Sequence, residues 1–136
     1  MKPKFEKATK IYFALSALCL ILWRVCVSLR ATAFGARLVI SQMLDVAPNF
    51  FTCVALPFLI LAVVKVFFTP KRETRLFYYI IFGTLVLAIL TEYYLYAAGV
   101  SSFDIFDIIA SCIAAFVNMV IHDKVYFKKP ALQEDE

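Results

Sequence analysis

Charge is scarce in this chain. Lys, Arg, Asp and Glu make up 18% of its 136 residues and 63% are hydrophobic, with a mean hydropathy of +0.84. Soluble domains hold roughly 45–50% apolar residues, so the shortage excludes a water-solvated globule and makes the bilayer the natural solvent. Long polar stretches are missing as well, the longest being the terminal MKPKFEKATK and DKVYFKKPALQEDE. That leaves a single membrane domain over residues 1–136 and puts any chemistry in or beside the membrane.

Other shortages narrow the field further. The net charge of +4 would suit a polyanion, but the basic residues punctuate the ends of apolar runs instead of clustering on one face, which excludes a nucleic-acid partner. Cys19, Cys26, Cys53 and Cys112 show neither CxxC nor zinc-ligand spacing, so no metal and no cofactor is expected, and they read as small buried packing residues. Leu18 stands before Cys19 where a lipobox needs a small residue. The one histidine, His122, sits beside Asp123 and Lys124, where a capping or interfacial role is expected of it.

What the chain does have is apolar runs of membrane-spanning length. A span needs about 20 residues to cross roughly 30 Å of hydrocarbon. Residues 10–29, 49–68, 76–98 and 103–122 meet this, predicting an all-α polytopic fold of four transmembrane helices. The first could pass for a signal peptide ahead of Ala31-Thr32-Ala33, but Arg24 interrupts it well before that point. Residues 30–48 place Phe34, Leu38, Val39, Met43, Leu44 and Val46 at near-helical spacing between polar residues, predicting an amphipathic segment in the outer interface. Asn49 reads as the cap of the second helix and Pro57 as a bend inside it. Lys65 is expected to reach the interface with its stem. Aromatic clusters at Phe77, Tyr78, Tyr79 and at Tyr93, Tyr94, Tyr96 look like interfacial belts.

Lysine and arginine crowd the N-terminal flank, the 69–75 loop and the tail 123–136, and the 99–102 turn has none. The positive-inside rule then puts both termini in the cytoplasm.

Against this background a few ionisable residues are out of place. Glu92 and Asp107 fall about one turn inside the outer boundary and Arg24 is level with them, which predicts an ion-paired polar cluster of Arg24, Glu92, Asp104, Asp107 and Ser111. Arg30, Arg37 and Asn49 are further candidates. Ser101 and Asp104 fit a capping box at the start of the fourth helix. Asp104, Asp107, Ser111, Ala114, Asn118 and His122 share one side of that helix, facing a stripe of Gly83, Thr84, Ala88, Thr91 and Glu92 on the third. The lower parts of both stripes read as packing faces.

These residues resemble the VanZ-like family of small bacterial membrane proteins. Its pattern runs E-x-x-Q, a short outer turn, R-x-F-D-x-x-D, then A-N-x-x-G-x-x-x-G. Glu92, Phe103, Asp104, Asp107 and Ala110 match in order and spacing, and Pro48-Asn49-Phe50 with Pro57 looks like the family's second helix. The likeness is partial: Leu95, Ser101, Ser111, Ala114 and Asn118 stand where the pattern has Gln, Arg, Asn, Gly and Gly. The resemblance implies a bacterial inner-membrane protein with an envelope-facing role, since the founding member is associated with reduced susceptibility to a teicoplanin-type glycopeptide. It names no reaction.

Three functions follow from these observations. The preferred one is a binding or accessory protein whose outer acidic cluster engages a lipid head group or another envelope component. The second is a structural subunit whose polar stripes lock it to protein partners in a membrane complex. The third is an outer-leaflet enzyme holding a divalent cation on Glu92, Asp104 and Asp107. Because no Ser–His or Cys–His pair accompanies the acids, a non-enzymatic role is favoured. A small transporter has little room for a midplane site in four helices.

Overall fold

The computed structural model describes residues 7–32, 38–68 and 72–127. They form four helices: α1 Lys7–Arg30, α2 Leu38–Phe67, α3 Glu73–Ala97 and α4 Ile105–Phe127. Each is long and apolar enough to cross a membrane, so the chain is an all-α polytopic fold, as its composition predicts. Tyr12 near the start of α1 meets His122 near the end of α4, so the first and last described turns share one end of the bundle. Arg30, Asp45, Glu92 and Asp104 gather at the other.

The largest departure from expectation is α2. Residues 38–48 are not a separate segment but the opening turns of one 30-residue helix that carries both Pro48 and Pro57 in its interior. At 1.5 Å per residue it is about 45 Å long, well beyond the ~30 Å of hydrocarbon. Proline has no N–H, so each one leaves the carbonyl four residues back without its helical donor. For Pro48 that carbonyl is Leu44, and Arg30 Nε from the end of α1 donates to it at 2.9 Å, with Arg30 Nη2 on Asp45 O at 2.8 Å. For Pro57 it is Cys53, and Asn118 Nδ2 from α4 donates to it at 2.9 Å. Both gaps in the ladder are thus filled by a neighbouring helix, which is how membrane helices tolerate interior proline. Asn49, expected as a cap, consequently lies mid-helix.

Helix α2 packs against each of the other three. Toward α1 the contact uses Thr9, Tyr12, Ser16 and Cys19, a buried stripe at steps of three and four. Ser16 Oγ lies 2.9 Å from Tyr12 O and 3.1 Å from Ala55 O across the interface. Small and hydroxyl side chains allow this approach where lipid tails remove the hydrophobic drive for helices to associate. Cys19 and Cys53 are buried as expected, Cys26 is half-buried, and Cys112 is exposed, contrary to the packing role predicted for it.

At the end shared by Tyr12 and His122 the core is aromatic. Tyr12, Phe58, Phe77 and His122 are each wholly buried. Tyr12–Phe58 and Phe58–Phe77 stack with centroids 5.4 and 5.2 Å apart, and His122 lies tilted against Phe77 at 4.3 Å. Phe77 is therefore core and not belt, while Tyr78 and Tyr79 beside it, and Tyr93, Tyr94 and Tyr96 at the far end of α3, are exposed. His122 Nδ1 lies 3.0 Å from Tyr12 Oη, a buried core contact in place of the expected capping or interfacial one. Lys65 is also drawn inward: its Nζ pairs with both carboxylate oxygens of Glu73 at 2.9 and 2.8 Å, with side-chain exposures of 7% and 13%. A lone lysine in hydrocarbon costs ~2.5–3.5 kcal/mol on insertion scales, and the pair with Glu73 offsets that cost.

Candidate functional site

The opposite end is open, and the reason can be read from α3. Its buried residues, Phe77 and Ile81, both lie in the first half of the helix. Continuing their stripe by steps of three and four reaches Thr84, Ala88, Thr91 and Glu92, which are too small or too polar to fill the gap to α2 and α4. A cavity of about 530 Å³ results, and those four residues form one wall of it. Gly83, expected in the packing stripe, faces open space. The second wall is Asp45, Asn49, Thr52, Cys53 and Leu56 of α2. The third is Asp104, Asp107 and Ser111 at the start of α4, with Ser101 and Ser102 from the turn before it. The aromatic stack closes the bundle beyond.

Four carboxylates, Asp45, Glu92, Asp104 and Asp107, line this space, and among the described residues no lysine or arginine does. Two of the four have structural duties at the exposed amides of α4. Glu92 Oε1 accepts the Asp104 N–H at 3.0 Å, and Asp104 Oδ1 accepts the Phe106 N–H at 2.8 Å. Asp104 is thus the N-cap itself, so the predicted capping box starting at Ser101 does not form. Asp45 pairs with Arg30, Oδ1 to Nε at 3.4 Å. Asp107 lies in the first turn of α4, where the helix dipole favours an anion. The Asn49 side chain faces the Asp107 carboxyl, while Asp107 Oδ1 is buried with no hydrogen-bond partner among the described residues. Ser111 Oγ donates to Asp107 O at 2.8 Å and lies 3.4 Å from Cys53 Sγ.

Of the residues expected to cluster, Glu92, Asp104, Asp107 and Ser111 do come together, joined by Asn49. Arg24 does not: it is exposed on α1, a helix that packs along α2 and not along α3, and no ion pair with Glu92 is present among the described residues. Arg30 supplies a cation at the rim, held against α2. Arg37 lies outside the described residues. Asp45 and Thr52 are lining groups absent from the sequence reading, while Thr84 and Thr91, expected in the stripe facing α4, line the cavity there. Reading one helical register through Pro48 places Asp45, Asn49 and Thr52 at steps of four and three on one face, and that periodicity was the available signal.

The arrangement is an acceptor-rich hollow at one end of a membrane bundle. It is suited to a group that carries positive charge and donates hydrogen bonds. The described residues hold no set of three His, Cys, Asp or Glu side chains placed to hold one metal ion, so Glu92, Asp104 and Asp107 are not gathered as the metal-holding reading requires. The fold and this hollow define a four-helix polytopic membrane protein with an acidic terminal cavity. Comparison with protein-family profiles, curated proteins and solved structures finds no match to the chain.

Proposed function

We propose that the chain is a VanZ-like accessory protein of a bacterial inner membrane that binds, without chemical turnover, a cationic group of an envelope component or lipid at its acidic cavity. Both termini are cytoplasmic in this reading, following the lysine and arginine distribution, and the cavity opens outward. The observation that carries it is the lining of the 530 Å³ cavity, with four carboxylates and no basic side chain among the described residues. Carboxylates placed together repel one another, and a bound cation removes that cost. Asp107 matters most, because its buried Oδ1 has no hydrogen-bond partner among the described residues.

The test is complementation. In a host lacking the protein, the Asp104→Asn, Asp107→Asn double variant should reach the membrane at the wild-type level yet fail to restore whatever phenotype the wild type restores. Asparagine still caps a helix, so α4 keeps its start. Full restoration by this variant would overturn the proposal. A structural-subunit reading has its own support in the Glu92 and Asp104 bonds to α4 amides. It would be favoured by a variant that binds nothing yet complements.

A further inference from the structure

A second hollow adjoins the acidic cavity. It lies between the opening turns of α2 and the start of α4, has a volume of about 820 Å³, and is walled by apolar side chains including Val46, Phe50, Phe106, Ile109 and Ile113. Phe106, Ile109 and Ile113 are exposed along it. Two residues line both spaces, Asp45 and Asp104. An apolar groove facing the bilayer thus ends on two carboxylates, and behind them is the polar cavity with the unpartnered Asp107 oxygen.

We infer that the groove and the cavity form one site for a membrane amphiphile with an ammonium head, its alkyl chain along α2 and α4 and its head between Asp45 and Asp104. The inference rests on the proposed binding role of the cavity and goes beyond it by naming the ligand class. Charge complementarity selects the head. Asp104 makes no ion pair among the described residues, and the cation nearest the rim, Arg30, is already engaged with Asp45 and two backbone carbonyls. An anionic or phosphate-only head would meet four carboxylates of its own sign. The groove selects a chain, because a small soluble cation would leave its apolar wall unused. An ammonium is also able to donate up to three hydrogen bonds, matching the acceptors on offer.

The experiment is native mass spectrometry of the full chain released from neutral maltoside micelles, titrated with dodecylammonium chloride and, separately, ethylammonium chloride. One saturable dodecylammonium adduct is expected, with ethylammonium binding far more weakly. The Asp45→Asn, Asp104→Asn double variant should lose about tenfold or more in affinity, the equivalent of one charge-assisted hydrogen bond, with helical circular dichroism unchanged. Equal binding of both amines would overturn the amphiphile and leave the acidic cavity standing as a cation site. No adduct with either amine would overturn both readings, and an adduct indifferent to the double variant would place the amphiphile elsewhere and so overturn this one.

Discussion

Cys53 and Asn118 show how closely single atoms are accounted for in this bundle. Pro57 removes the donor that Cys53 O would have within α2, and Asn118 Nδ2 replaces it at 2.9 Å. Asn118→Ala should therefore destabilise the protein by ~1–3 kcal/mol, the cost of a buried acceptor left unmade. In a Pro57→Ala background the loss should be much smaller, because α2 then supplies its own N–H. Thermal unfolding in detergent of the four proteins in this cycle checks it, and equal losses in both backgrounds would contradict the assignment. Half of this is legible in the sequence: Pro57 predicts a bend in α2, and helical spacing places Asn118 on the side of α4 that carries Asp107 and Ser111. Which carbonyl meets which amide is not legible, since it depends on the axial offset of two helices whose contacting residues lie 65 positions apart in the chain. Arg24 was misassigned for a related reason. Depth along the membrane normal can be counted from sequence, but position around the bundle cannot.

At the scale of elements, the sequence located four spans but divided α2 incorrectly. Pro48 followed by Asn49 looks like a helix start, because asparagine is a favoured N-cap. The helix continues through Pro48 because Arg30 covers the Leu44 carbonyl from outside, and no local rule contains that contact. The α2–α3 connection is tied in the same way, by Lys65 to Glu73. Lys65→Met should destabilise by up to about 3 kcal/mol, the low end of the cost of breaking a buried pair, since it leaves the part-buried Glu73 carboxylate without this cation. Lys65→Met combined with Glu73→Leu should cost far less than the single change, as unfolding midpoints in one detergent will show. A double variant no better than Lys65→Met would show that the pair is not the tie between these helices. On α3, the lower part of the stripe Gly83, Thr84, Ala88, Thr91 and Glu92 reads from the sequence as a packing face, whereas the structure buries Phe77 and Ile81 and leaves Thr84, Ala88, Thr91 and Glu92 lining the cavity. Volume decides the outcome: the bulky half closes on its neighbours and the small half leaves the cavity.

Taken as a whole, the described bundle has a closed aromatic end and an open acidic end, and the first turn of α1 and the last turn of α4 lie toward the closed one. In the proposed orientation, which follows the lysine and arginine distribution, that closed end faces the cytoplasm. Epitopes at either terminus of the protein in intact cells should then be shielded from added protease, and an epitope inserted between Val100 and Ser101 should be cleaved. Cleavage of a terminal epitope from outside would reverse the orientation. The central claim is that the open end is a binding site and not merely a gap between small side chains. It is tested most directly by an experimental map of the protein in a bilayer of its host's own lipids. The account predicts non-protein density between α2, α3 and α4 within hydrogen-bond distance of Asp107. A space closed by its own side chains, with Asp107 Oδ1 bonded inside the protein, would contradict it.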